Sequence, residues 1–389
     1  MKWDLYGLKE EHRLFLATVE RFIHKEVAPL AAKMDEEQLF PLKLYRRAAE
    51  IGLIQVFLPA RHFEGGGEPR LQAILSELMV KGSLCFFTSL FTSASLFGAN
   101  IARFGNPEQK ERYLPPLVRG EKVGCWALTE PQAGSDALAI QTTFAKNGDI
   151  YVINGSKTFI TNAPIADYYI VLTRKKGTIG VNGGTAFILE RGMEGLSTGK
   201  PFDKMGMRGS PTGEIFLENV MVSKSQVLGE EGRGFRDTMN SLDLERLVGS
   251  TFGAIGVAKV CLEEALSYAK KRVQFGQPIA NFQLIQEKLA EMVVGIEIAE
   301  VYAYDILTRA EKGERVTKEV AIIKLFSTSL ATRCALEAIQ IHGGHGYMRE
   351  SPLERHLRDV KLFEIGGGTN EIMKLVIARE LLQKGFLPP

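Results

Sequence analysis

The sequence predicts an α+β protein in three parts: an N-terminal helical domain over residues 1–120, a middle antiparallel β domain over 121–232 and a C-terminal helical bundle over 233–389. Three observations lead there. Apolar residues recur at helical spacing in the outer parts, as in Leu14, Leu16, Val19, Phe22, Ile23 and Val27, with charges on the opposite face. Short β-branched runs divided by Gly, Asn and Pro turns fill the middle. No βαβ alternation is visible, which disfavours a doubly wound sheet. A chain of 389 residues also exceeds what one hydrophobic core usually serves.

In order along the chain, residues 8–27 form the first helix, and Pro41 precedes a second over 42–51. The Gly-rich FEGGGEP, residues 63–69, is a loop. Residues 77–104 continue helically, and 107–117 close the block. Within them, residues 83–102 carry no charge over about the length that spans a bilayer. Their Ser and Thr content, with Gly98 and Asn100, points instead to a buried helix hairpin or pocket wall, not a membrane span. In the middle block, residues 150–153, 168–173, 185–189 and 214–222 read as strands, with Asn147-Gly148, Asn154-Gly155 and Asn182-Gly183-Gly184 as turns and 202–212 as a loop. Long periodic helices follow over 235–272, 281–311 and 317–341.

Composition narrows the function. A hydrophobic content of 45% with 24% charged residues fits an ordinary soluble globular protein. A net charge of +2 gives no electrostatic basis for nucleic acid as the main partner. The cysteines Cys85, Cys125, Cys261 and Cys334 are scattered in apolar contexts, which predicts reduced buried thiols and a cytoplasmic protein. The opening MKWDLYGLKEEHR is charged throughout, unlike a signal peptide. His342 and His345 lack a Cys or carboxylate at ligand spacing, so no metal site is expected.

The chain is organised around residues 125–136, CWALTEPQAGSD. A β-prone run, Trp126, Leu128 and Thr129, ends at Pro131, which cannot continue a central strand. Gly134 admits close approach of a ligand to the backbone, and the hydroxyls of Thr129 and Ser135 can bond a flat polar heterocycle or a phosphate. On composition alone this is also how an ordinary strand-to-turn junction reads. The literal strings TEPQAGSD and NGSKTFITNA, residues 154–163, carry more: they resemble the flavin-binding signature of the acyl-CoA dehydrogenase family, and the resemblance extends over nearly the whole chain. It implies FAD as cofactor, with Trp126, Leu128, Thr129, Gly134, Ser135, Phe159, Ile160 and Thr161 around the isoalloxazine ring and Ser135 also near the acyl-CoA substrate. By the same resemblance Arg208 is a weak candidate for a CoA phosphate contact.

Abstracting the weakly acidic α-proton of a thioester needs a poorly solvated carboxylate close by and hydrogen bonds to the thioester oxygen. Many members of the family carry that carboxylate in a C-terminal Tyr-Glu-Gly-Thr loop. Here the matching segment is FEIGGGTNEI, so Gly366 and Gly367 stand where Tyr and Glu would, and Gly367 cannot be a base. Glu364 and Glu371 are nearby but displaced from that position. The segment LDLERLV, residues 242–248, resembles the isovaleryl-CoA and long-chain acyl-CoA dehydrogenases, which also lack the loop Glu, and this likeness makes Glu245 the base. Locally, Glu245 edges the charge-free run 247–258, where desolvation favours a basic carboxylate. Asp243 and Arg246, three apart on one helix face, read as a local ion pair or, by resemblance, as CoA-end substrate contacts. The resemblance further implies that the Gly367 N–H polarises the thioester, that Gly368 adjoins the substrate, and that Gly366 leaves room for a branched or bulky acyl group.

The family's second flavin segment is matched by RVQFGQP, giving Arg272, Gln274 and Phe275, followed by Gln283. QIHGGHGY, with Gln340, Gly343 and Gly344, corresponds to the part that reaches a neighbouring subunit's FAD, which implies a homotetramer. Thr369 and Glu371 would contact the flavin after the Gly loop. Electron-transferring flavoprotein is the implied electron acceptor. An acyl-CoA oxidase, a monooxygenase, an enoyl-CoA reductase and a non-catalytic acyl-CoA or flavin-binding protein are the competing readings.

Overall fold

The computed structural model describes residues 8–180 and 183–384. Residues 1–7 of the MKWDLYGLKEEHR opening and Asn182 of the third turn therefore lie outside the described residues. The N-terminal helices are α1 (Glu10–Phe22), α2 (Ala31–Glu36), α3 (Leu42–Glu50), α4 (Leu53–Val56), α5 (Pro69–Met79), α6 (Leu84–Phe91), α7 (Asn100–Phe104) and α8 (Pro107–Val118). The strands are β1 (Gly124–Ala127), β2 (Thr143–Asn147), β3 (Ile150–Thr161), β4 (Tyr168–Lys175), β5 (Gly184–Glu190), β6 (Leu196–Thr198), β7 (Thr212–Ser223) and β8 (Val227–Leu228). After them come α9 (Gly234–Glu245), α10 (Phe252–Lys271), the small hairpin β9 (Val273–Gln274) and β10 (Gln277–Pro278), α11 (Gln283–Glu311), α12 (Thr317–His342), α13 (Leu353–Ile365) and α14 (Asn370–Lys384).

The helical run expected over 77–104 is interrupted after Met79, because Ser83 adopts an extended conformation and caps α6 by accepting from the Phe86 N–H. Beyond Ser83 the charge-free run is a single helical rod, not a hairpin: α6 passes into a π-helical stretch, Thr92–Ala99, and then into α7. The span Leu84–Phe104 is 89% buried inside the fold, as a core helix is.

Strands follow the order β6-β7-β3-β2-β4-β5-β8, with β1 beside β4. Most pairs are antiparallel, but β1 and β2 each run parallel to β4. The β2–β3 hairpin separates β1 from β4 in sequence, so the chain re-enters the sheet in the direction it first took. Asn154-Gly155 is no turn. It sits inside β3 at a register shift against β7, where Gly155 takes φ 147 and forms a bulge. Period-two alternation divides the buried sheet residues: Ile170, Leu172 and Ile188 face α7 and α8, while Tyr169, Val171, Phe187 and Leu189 fill the other side.

The outer helical blocks share one core, which runs from Leu16 and Phe22 through Phe86 and Phe87 to Ile255, Ala331 and Phe363. Close approach of α10 to α5 depends on Gly256. A Cβ there would lie 2.8 Å from the Glu77 carbonyl oxygen and 2.9 Å from the Glu77 Cα, backbone atoms that cannot rotate away. Gly256→Val is therefore expected to lower the melting temperature. Overpacking costs ~1–3 kcal/mol, while relief of a helical glycine returns at most ~1 kcal/mol. Thermal unfolding of the purified variant checks this; an unchanged midpoint would mean that α5 and α10 are not rigidly docked.

Candidate active site

The turn after β1 and the far end of β3 are fastened by a buried ion pair. Lys157 Nζ lies 2.8 Å from Glu130 Oε1 and 3.0 Å from the Leu128 carbonyl oxygen. Glu130 also accepts from the backbone N–H groups of Gln141 and Thr142 and from the Gln132 side chain. Both charged side chains are excluded from solvent. Burial pushes the Lys157 ammonium down to about 8, partly offset by Glu130. Burial also works to raise the Glu130 carboxyl, but Lys157 and the amides outweigh it and hold it below its ordinary value. At neutral pH both groups are charged. The Thr158 N–H donates to the Thr129 carbonyl across the same seam, 2.9 Å away.

These ties leave a cradle at the sheet edge. A register shift between Lys157 and Ile160 puts Phe159 at φ 56 and turns its ring outward, 69% exposed, against Phe202. Across from it, Ser135 is exposed, and a Cβ built on Gly134 would meet nothing within 4 Å. The Trp126 indole Nε1 is buried without a hydrogen-bond partner among the described residues. An exposed aromatic ring, an open glycine and an orphaned donor fit a planar heterocycle with polar edges, as FAD has. Across this seam Trp126, Leu128 and Thr129 adjoin the end of β3 with Phe159, Ile160 and Thr161, but Leu128 and Ile160 are buried in separate core clusters, whereas Gly134, Ser135 and Phe159 are exposed.

A cleft of about 1470 Å³ adjoins Ser135 and runs between the N-terminal helices and α9, α12 and α14. Ser135, Asp243 and Arg246 line it, together with Arg61, His62 and Arg103. Glu245 is the last residue of α9 before a π-helical stretch, Arg246–Thr251, a local widening frequent at functional sites. Its side chain lies beneath the cleft wall. Sequence reasoning set this carboxylate against an apolar run; the fold instead gives it an ion-pair partner. Arg103 Nη1 of α7 is 2.7 Å from Oε1, and Ser95 Oγ is 2.7 Å from Oε2.

Arg246 turns the other way. It bonds Asp243 Oδ1 at 3.1 Å and the Gly367 carbonyl oxygen at 2.6 Å, while Thr317 Oγ1 donates to Asp243 Oδ2 at 2.7 Å. The Gly366–Gly368 loop is thereby joined to the cleft through Arg246. Gly366 keeps an ordinary φ of −73, and the nearest atom to a Cβ there is 3.4 Å away. Gly367 and Gly368 have φ of 66 and 95. The other carboxylates near this loop are placed differently. Glu364 is taken up by Thr332 and Lys361, and Glu371 is exposed in the first turn of α14 after Thr369.

Arg272, Gln274, Phe275, Gln283, Gln340, Gly343 and Gly344 form a second group at the end of the C-terminal bundle. The last turns of α10, just before the hairpin, meet the α12 terminus there through stacking of Tyr268 on His342, with ring centroids 4.1 Å apart. Phe275 is 93% exposed. Arg208 is committed to Asp203 and the Asp35 carbonyl. Sequence reasoning passed over Glu130, Lys157, Ser95 and Arg103. The first two lie inside the quoted strings, and a lysine flanked by strand residues was their available signal.

Removing one partner of a buried ion pair leaves an uncompensated charge, at about 3–5 kcal/mol. Lys157→Met is expected to lose roughly that stability and to purify with little flavin; Lys157→Met/Glu130→Gln should recover part of both. Glu130 is depressed, so its contribution is present above its unfolded value of 4.5 and is lost as pH falls through the lowered folded value. Glu130→Gln should flatten the acid side of stability against pH. Denaturation curves and flavin-to-protein absorbance ratios read both effects.

Residues 9–121, 125–220 and 232–382 match the N-terminal, middle and C-terminal domains of acyl-CoA dehydrogenase. The chain is 40% identical over 374 residues to the 3-(aryl)acrylate reductase of Clostridium sporogenes, covering 96% of this chain and 99% of that protein. It is 38% identical over 377 residues to the mitochondrial isovaleryl-CoA dehydrogenase of Solanum tuberosum, covering 96% and 91%. Among solved structures, butyryl-CoA dehydrogenase from Megasphaera elsdenii superposes with a TM-score of 0.92 at 38% identity, over 97% of this chain and 99% of that one. The chain belongs to the acyl-CoA dehydrogenase family and is an FAD-dependent oxidoreductase.

Proposed function

We propose that the protein desaturates an acyl-CoA thioester to a trans-2-enoyl-CoA, with Glu245 as the base that takes the α-proton. The observation that carries this reading is a buried carboxylate beside a cleft that also holds Ser135, Asp243 and Arg246. When bound, FAD supplies the acceptor for the β-hydride. Trp126, Leu128, Thr129, Gly134, Ser135 and Phe159 to Thr161 would hold its ring, together with Thr369 and Glu371. The Gly367 N–H polarises the thioester oxygen, and Gly368 packs beside it. Asp243 and Arg246 orient the CoA end. Water exclusion comes from burial of Glu245 beneath the cleft wall.

Gly366 gives the reading its substrate. A Cβ at Gly366 would meet only Leu362 of its own helix in ordinary contact, so the missing side chain leaves room that suits a branched or bulky acyl group. Reduction of an enoyl thioester is the second reading, and the similarity to a 3-(aryl)acrylate reductase favours it.

The protein acts as a homotetramer in this reading. α11 presents Val294, Ile298 and Val301 to solvent, the last 70% exposed, and an apolar stripe of this kind suits a subunit interface. Arg272, Gln274, Phe275, Gln283, Gln340, Gly343 and Gly344 would then hold the adenine half of a neighbouring subunit's FAD. Electron-transferring flavoprotein takes the electrons. Four free, buried cysteines suit a cytoplasmic setting.

Anaerobic bleaching of the flavin by a panel of acyl-CoAs tests the reaction. Glu245→Gln should bind ligand and bleach slower by roughly 10²–10⁴-fold, the usual worth of a general base. Equal bleaching rates would remove Glu245 from the mechanism. Gly366→Tyr should impair branched acyl groups more than straight ones; equal loss on both would end the pocket argument. Placing lysine at Ile298 and Val301 together should shift the protein to a smaller species in light scattering, and an unchanged mass would clear α11 of an interface role.

A further inference from the structure

Both carboxylate oxygens of Glu245 are engaged by other side chains. Oε1 accepts from Arg103 Nη1 at 2.7 Å and Oε2 from Ser95 Oγ at 2.7 Å, and the residue is only 5% exposed. Arg103 is among the residues that line the cleft and Glu245 is not, so the cation is the member of the pair that reaches the cleft. Arg246, the next cation along α9, is engaged with Asp243 and the Gly367 carbonyl and gives Glu245 no alternative partner.

We propose that Arg103 is a latch on the base: an acyl chain entering the cleft displaces its guanidinium from Oε1, and the vacated oxygen then receives the α-proton. The inference rests on the reading of Glu245 as base and adds a positioning residue to it. The physical logic is that of a buried charge. A carboxylate this far from water needs a partner whenever the cleft is empty, and a cation supplies one. The same cation blocks the reaction while it stays. Ser95 holds Oε2 throughout and fixes the orientation of the oxygen left free. Part of the intrinsic affinity for substrate is consequently spent opening the pair.

The test measures binding of an unreactive S-alkyl-CoA thioether to the FAD-loaded enzyme, followed by the shift in the flavin spectrum. It uses the wild type, Arg103→Met, Glu245→Gln and the double variant. The latch requires tighter binding, by roughly tenfold, in either single variant. It also requires no further gain in the double variant, because each change abolishes the same pair. Arg103→Lys, which keeps the charge but loses the planar fork, should fall between; it keeps the test open if an unpaired buried carboxylate prevents Arg103→Met from folding. Unchanged or weaker binding in Glu245→Gln and Arg103→Lys, or additive effects in the double variant, would overturn the latch and leave Arg103 a structural tie. Failure of the base assignment registers elsewhere: Glu245→Gln would then bleach with a reactive acyl-CoA as the wild type does, whatever the thioether affinities.

Discussion

The cradle depends on one buried ion pair. Lys157 lies on β3 and Glu130 in the turn after β1, both out of solvent, and between them they engage the Leu128 carbonyl and the amides of Gln141 and Thr142. Desolvating two charges costs several kcal/mol each, and their attraction offsets this only when the remaining donors and acceptors are satisfied. Here Glu130 accepts from two backbone amides besides the ammonium, and Lys157 also binds a carbonyl. A pair of hydrophobic residues could fill the same volume but could not hold three backbone segments in register. What the pair contributes is position more than stability. It fixes where β1 ends, where the turn through Gly134 and Ser135 begins, and where β3 bulges to expose Phe159.

The second half of the site rests on packing. Glu245 comes from α9 and its partners Arg103 and Ser95 from the rod formed by α6, the π-helical stretch and α7. These elements lie far apart in sequence, so their mutual position is set by the core they share. Phe91 and Leu247 belong to that core, and a Cβ on Gly249 would lie 2.5 Å from the Phe91 ring. At that spacing the carboxylate and its guanidinium move only if a helix or a side chain does. Of the two, an arginine side chain on a cleft wall moves more easily.

The blocks of the fold were legible because their periods are local properties. The 3.6-residue repeats marked α11, α12 and the continuous run of α9, the π-helical stretch and α10 nearly to their ends, and short β-branched runs marked β4, β5 and β7. What depended on distant partners was not legible. The chain break after Met79 turned on one serine cap. Asn154-Gly155 has the composition of a turn, but pairing of Asn154 with Asn219 and of β3 with β7 keeps it in a strand. Parallel pairing of β1 with β4 leaves no local trace. At the site, Glu245 could be found from its own segment, whereas Arg103 stands 142 positions away and reads in isolation as a helix-end cation. The ion pair that governs the carboxylate is a fact of tertiary structure alone.

The glycine loop shows the same division of labour. Gly366, Gly367 and Gly368 have no side chains with which to hold their own shape, and two of them sit at positive φ. Two cations do it for them: Arg246 donates to the Gly367 carbonyl, and Lys324 Nζ donates to the Gly368 carbonyl at 2.7 Å. Lys324 is buried, its ammonium brought down to about 8 by burial and then by Arg246, and Asn370 steadies it at 3.3 Å while accepting from Thr328. A loop that carried its own carboxylate would place a negative charge among these cations. With glycine in its place, the carbonyl dipoles are what the cations meet. The negative charge of the site lies instead on Glu245, beside a separate cation, Arg103. In the proposed reading, moving the carboxylate from the loop to the helix separates two tasks that one segment would otherwise share: the loop can be held rigidly by its cations, while Glu245 is paired with a single arginine at the cleft wall.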